Sequence, residues 1–209
     1  MNPNVTDITV VLDRSGSMAS VASDTKNGFD QFIKDQKAVE GKANLTLMQF
    51  DTEYEFVYKD KNIQEIEPLD FRPRGFTALL DAIGKSIAET GERLEKIPAD
   101  DRPGKVVFVI LTDGQENSSK EYKREQINKM ITEQREKYAW EFVFLGANQD
   151  AIKEGESLGI SVASSVNYAH TSTGVQNAFM ATSRNVASYR LGASANVAYS
   201  DEDRKKMEK

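Results

Sequence analysis

Asp13, Ser15 and Ser17 stand at alternate positions, with Gly16 between the serines, directly after the apolar run 8–12. One carboxylate and two hydroxyls in that spacing make a set of hard oxygen donors, the kind taken by a divalent cation such as Mg²⁺ or Mn²⁺. A second apolar run, 106–111, ends in Thr112-Asp113-Gly114. Between the two, Gly75-Phe76-Thr77-Ala78-Leu79 reads as a loop feeding a helix. Asp13, Ser15, Ser17, Thr77 and Asp113 are therefore five oxygen donors, each beside the end of a strand or the start of a helix. Single members have plainer accounts. Asp13 or Thr77 alone would serve as a helix N-cap, and an apolar strand ending in Asp113 also describes a Walker B element. Capping explains neither the alternation of Ser15 and Ser17 nor the second strand ending in an acid. The Walker reading fails because Gly84-Lys85-Ser86 lies inside a helical pattern with Leu79 where the first glycine of a phosphate loop belongs.

Asp-x-Ser-x-Ser, then Thr77 in a Gly-x-Thr-x-Leu context, then Asp113 in Thr-Asp-Gly, resembles the metal-ion-dependent adhesion site (MIDAS) of von Willebrand factor A (VWA) domains, over roughly residues 5–190. The resemblance implies a Rossmann-like VWA fold of the bacterial or phage-like intracellular type. It implies that Ser15 and Ser17 hold a Mg-type ion directly, Asp13 and Asp113 directly or through water, and Thr77 in either way. It further implies an open position filled by a Glu or Asp of a protein partner. On that basis the chain is expected to be a metal-dependent protein-binding module, not an enzyme, with no catalytic residues. Two other readings stand beside it: a Mg-dependent hydrolase, and an adaptor for a MoxR-type ATPase.

The elements that position these residues alternate. Strands are expected at 8–12, 45–50, 54–58, 106–111 and 140–145, with a short last one beginning at 160–162. Helices are expected at 23–39, 77–94, 122–138, 151–158 and 173–190. The short polar turn at 51–53 makes a hairpin of the second and third strands. The fold class is therefore α/β, a doubly wound, mostly parallel sheet with one antiparallel edge strand and helices on both faces. Residues 1–199 are expected to form a single domain and the charged stretch 200–209 a frayed tail.

Composition narrows the classes. The 209 residues carry a formal net charge of -6 and mix their basic residues with acidic ones, which argues against nucleic-acid binding. There is no cysteine, so disulfides and thiolate chemistry are excluded. No apolar run is long enough for membrane insertion, and Met1-Asn2-Pro3-Asn4 does not read as a secretory signal, so a cytoplasmic location is expected. His170, the only histidine, sits among Tyr, Ala, Thr and Ser and reads as a solvated loop residue. With no histidine expected near the three loops, a general base for hydrolysis is missing. Asp51, Asp81 and Glu116 are further acids near those loops, and Asp81 reads as an acid favoured by the dipole of the helix it begins.

Overall fold

A computed structural model describes residues 1–148 and 150–209. Its strands are β1 (Asn2–Asp13), β2 (Lys42–Phe50), β3 (Tyr54–Asn62), β4 (Pro103–Thr112), β5 (Glu141–Gly146) and β6 (Ser165–Asn167). They form one sheet of order β3-β2-β1-β4-β5-β6. All neighbours are parallel except the β2–β3 hairpin, so β3 is the antiparallel edge expected from the sequence. The helices are α1 (Ala22–Ala38), α2 (Leu79–Glu95), α3 (Arg124–Tyr138), α4 (Ala151–Ser157), α5 (Ser172–Arg190) and α6 (Asp201–Met207).

Successive side chains of a strand point to opposite faces, and β1 divides its residues accordingly. Ile8, Val10 and Leu12 join α1 (Phe29, Phe32, Ile33) and α5 (Val175, Phe179, Val186) in one core. Val11 joins the other, with Ile83 and Ile87 of α2 and Ile127 and Ile131 of α3. In that second core Phe108 stacks on both Trp140 and Phe142, with ring centroids 5.5 and 4.9 Å away. Each fully buried large apolar side chain contributes about 1.5–3 kcal/mol relative to exposure, so the two helical layers hold the sheet from both sides. The chain leaves β1 toward β2 on one side and later fills β4 on the other. The carboxyl ends of β1 and β4 therefore flank the point where strand order reverses, the usual ligand crevice of such sheets.

Two expectations are corrected. The last strand lies at 165–167, whereas Val162–Ser164 is a 3₁₀ turn. The tail is not frayed. Residues 201–207 form α6, closed by a reciprocal capping box between Ser200 and Asp203, and the buried Met207 enters the α1–α5 core. Arg184 of α5 pairs with Asp203, and the Ala169 N–H donates to the Met207 carbonyl at 2.7 Å. Among the described residues no helix is long and apolar enough to cross a membrane.

Candidate metal centre

The parallel ladder carries Asp13 to the last position of β1, where its side chain is fully buried. Its Oδ1 accepts the Ser15 N–H at 2.7 Å and its Oδ2 accepts the Thr112 hydroxyl at 2.5 Å. Arg14, next along, is pulled the other way: its guanidinium reaches Asp51 and Glu55, each at 2.8 Å. The turn Gly16–Val21 follows with no side-chain cap. Neither Asp13 nor Ser15 is therefore used up as a helix cap. The Ser15 and Ser17 hydroxyl oxygens lie 3.1 Å apart, and Ser17 donates to Asp113 Oδ1 at 2.6 Å. Ser17 is exposed, while Ser15 and Asp113 are buried.

Thr77 is held by its backbone. Gly75 turns with φ +68°, and its carbonyl accepts the Gly16 N–H at 3.1 Å. The Thr52 hydroxyl accepts the Phe76 N–H at 2.9 Å, and the Asp51 carbonyl accepts the Ala78 N–H at 2.8 Å. α2 starts at Leu79, two residues later than the sequence suggests, and lacks a cap from its own N-cap side chain. Its free N–H groups are met from across the site: Leu80 donates to Glu116 at 3.0 Å and Asp81 to the Ser119 hydroxyl at 3.1 Å. The Thr77 hydroxyl is thus not spent on capping. A Cβ built on Gly114 would lie 3.2 Å from it and 3.8 Å from the Ser17 hydroxyl, so both hydroxyls border the same glycine.

The loop after β4 brings in Asp113, and the acids noted in the sequence stitch that loop to α2. Asp81 accepts the N–H groups of Lys120, Glu121 and Tyr122 at 2.7–2.9 Å, so it is an anchor for the loop and more than a dipole partner. Glu116 accepts the N–H groups of Ser118 and Ser119 as well as that of Leu80. Asp51 accepts from Arg14 and Arg74.

His170 is not a solvated loop residue. Its side chain is 18% exposed, and Nε2 lies 2.9 Å from Asp113 Oδ2. The segment after β6 places it there: the Tyr168 N–H donates to the Gly146 carbonyl at 3.1 Å, and Thr171 caps α5. No sequence pattern marks this neighbour, and the argument that no histidine lies near the loops loses its premise. Thr112, which orients Asp13, was also missed, although it directly precedes Asp113 at the same strand end.

The electrostatics suit a cation. Burial pushes the Asp13 carboxyl from 3.8 up to about 6, against hydrogen bonds from Thr112 and Ser15 and with help from the like charge of Asp113. Burial also raises Asp113, opposed by the Ser17 hydroxyl and the His170 ring. Asp113 Oδ2 and His170 Nε2 are both buried without a well-directed hydrogen bond despite their closeness. A divalent ion reverses the penalty on buried carboxylates. Among the described residues no three His, Cys, Asp or Glu side chains are grouped to hold a metal, so binding here depends on the hydroxyls. The two carboxylates and three hydroxyls fit a hard divalent cation.

The comparisons agree with this architecture. Proximal thread matrix protein 1 from the mussel byssus, in a structure with a zinc-occupied MIDAS motif, matches with TM-score 0.62 at 18% identity, covering 87% of this chain and 46% of that one. The pilus adhesin SpaC from Lactobacillus rhamnosus GG matches with TM-score 0.64 at 16% identity, covering 90% and 31%. The ArnB paralog VWA2 from Sulfolobus acidocaldarius matches with TM-score 0.52 at 15% identity, covering 87% and 45%. At these identities the likeness is one of fold, and this chain spans less than half the length of each. No curated protein sequence matches it. The model of the von Willebrand factor type A domain matches residues 7–188, and with the sheet order and paired strand ends already described, the chain belongs to that family.

Proposed function

We propose that this chain is a metal-dependent protein-binding module whose ion, Mg²⁺ or Mn²⁺, is held by Asp13, Ser15, Ser17, Thr77 and Asp113 and recognises an acidic side chain of a partner. The ion, when bound, supplies positive charge with an open position for an anionic ligand. The chain's residues do the rest. Ser17 ties Asp113 to the β1 loop, and Thr112 fixes Asp13. The Gly75–Thr77 loop brings the third hydroxyl to the rim and leaves the Phe76 ring exposed beside it, an apolar contact next to the acid-binding position. The observation that carries this reading is the pair of buried carboxylates at the two strand ends of the crevice, both raised by burial and linked through Ser15 and Ser17. A zinc-occupied MIDAS in a protein of the same fold supports it.

Read as a hydrolase, the site would use His170 as its base, but that Nε2 faces the Asp113 carboxylate and not an open position. Binding is therefore the reading we take. It is tested by capturing partners on immobilised protein with Mg²⁺ or Mn²⁺, eluting with EDTA and identifying what elutes by mass spectrometry. A partner that binds wild type, is released by chelation, fails to bind Asp113→Ala and loses binding when one of its own acids is neutralised is the expected result. Metal-dependent phosphate release that disappears in Asp113→Ala would overturn the reading.

A further inference from the structure

We infer that the Phe76 ring sets the specificity of the ion site, and that the partner segment it fits carries an apolar side chain beside the acid that reaches the ion. The inference rests on the metal-dependent binding reading above and deepens it by naming the flank of the recognised acid. An ion with an open position takes carboxylates in general, and protein surfaces are rich in Asp and Glu. Discrimination among them must come from what borders the ion. Phe76 directly precedes the proposed ligand Thr77, and it is 66% exposed. Among the described residues, no other exposed large apolar side chain belongs to the segments 14–21, 72–78 and 113–123 that carry or adjoin the proposed ligands. Phe76 is thus the single large apolar surface those segments offer to a partner.

The ring stands on a fixed base. The Arg74 N–H donates to the Arg14 carbonyl at 2.8 Å, and the Gly75 carbonyl accepts the Gly16 N–H at 3.1 Å. The Phe76 N–H donates to the Thr52 hydroxyl at 2.9 Å, and the Ala78 N–H to the Asp51 carbonyl at 2.8 Å. Residues 74–78 are therefore tied to the loop after β1 and to the turn between β2 and β3. A lone exposed apolar side chain means little by itself. One presented on a pinned backbone, beside the position for a charged ligand, is different. It brings a large contact area and has only two side-chain torsions left to restrain. Covering it also keeps water from the rim of the ion, which strengthens the attraction between ion and carboxylate. A bare acid gains neither effect. An acid with Phe, Leu, Met or Trp within two positions of it gains both.

The test uses a peptide library displayed on phage, each member with one fixed Asp or Glu and random flanks. It is selected on the immobilised full chain in Mg²⁺ and eluted with EDTA, in parallel on wild type and Phe76→Ser. The substitution keeps the backbone donor to Thr52, and an equal Mg²⁺-induced rise in melting temperature shows that fold and ion site are intact. The wild-type pool should be enriched in apolar residues within two positions of the fixed acid. The Phe76→Ser pool should still need the acid but lose that enrichment. A selected peptide, made synthetically, gives the second readout by fluorescence polarisation. Replacing its apolar residue with Ser should weaken binding to wild type on the order of tenfold, the scale of a buried aromatic anchor. The same replacement should have little further effect on Phe76→Ser, because the two side chains contact each other. An acid-dependent wild-type pool without apolar enrichment, the same enrichment on Phe76→Ser, or additive losses would overturn the inference and leave acid recognition standing. No acid-dependent, EDTA-eluted binding to wild type would instead overturn the binding reading itself, and this inference with it.

Discussion

Neutralising Asp13 without changing its shape should make the metal-free protein more stable. The Asp13 side chain is fully buried, and burial carries its carboxyl from 3.8 to about 6. At neutral pH that displacement is a penalty of about 3 kcal/mol on the folded state. The sign follows from the direction. The folded carboxyl titrates above the unfolded one, so the penalty is full above about pH 6 and is relieved as pH falls toward 3.8. Asp13→Asn removes it at all pH values. The amide oxygen can keep the Ser15 N–H, and the Thr112 hydroxyl can accept from the amide nitrogen and donate to the Gly114 carbonyl, which it already reaches at 3.1 Å. Exchanging a charged for a neutral hydrogen bond returns about 1 kcal/mol, leaving a net gain of about 2 kcal/mol. At about 2–4 °C per kcal/mol for a chain of this size, the variant in EDTA should melt about 4–8 °C above wild type at pH 7.5, with the gap closing toward pH 4. Metal inverts the order. At 100 times its dissociation constant an ion stabilises wild type by about 2.7 kcal/mol, and the variant should gain almost nothing. Differential scanning calorimetry with and without metal reads both effects. A variant that melts below wild type in EDTA, or keeps the metal-induced rise, would refute the reasoning.

Three other perturbations probe what surrounds the site. Arg93→Ala strips the partner 2.8 Å from the buried Asp7 and should cost about 3–5 kcal/mol in urea unfolding, while adding Asp7→Asn should recover most of that loss. Gly75→Ala forces a side chain onto a φ of +68° with its Cβ 2.6 Å from the Thr52 hydroxyl, so stability should fall by about 1–2 kcal/mol or more and metal affinity, read by calorimetry, should fall with it. Burial pushes the Asp51 carboxyl up, but hydrogen bonds from Arg74, the Glu53 N–H and Arg14 outweigh it and hold the group below 3.8. Its stabilisation is therefore present above pH 3.8 and lost as pH falls through the folded value, and acid unfolding of Asp51→Asn should show a shallower slope there.

The placement of the five proposed oxygen donors beside two strand ends and a helix start was legible because the apolar runs 8–12 and 106–111 end visibly, and three loop motifs in order constrain one another. The hairpin edge and the doubly wound order followed from run lengths and the short turn at 51–53. What failed, failed for physical reasons. β6 is expected to begin at Ile160-Ser161-Val162, where apolar residues alternate with a polar one, but the residues that pair with β5 are Ser165, Val166 and Asn167, and an edge strand held by backbone hydrogen bonds needs little apolar content. The tail was judged by its charge, although Ser200 and Asp203 carry the spacing of a capping box and Met207 supplies the apolar anchor. His170 lies far from Asp113 in sequence. Only the return of the chain through β6 beside β5 brings the two together, and no local composition encodes that.

The carboxylates of Asp81 and Glu116 accept five N–H groups of the loop they hold, those of residues 118–122, without being among the proposed ion ligands. These hydrogen bonds run between protein groups and do not involve the ion. Little of the chain then remains to be ordered on capture, so the heat-capacity change of ion uptake should be small and its entropy dominated by water leaving the ion. Exchange would be paced by that water loss and not by rearrangement of the protein. On the proposed reading, a socket built this way would refill quickly after chelation, and the hold on a partner would track the free concentration of the ion from moment to moment.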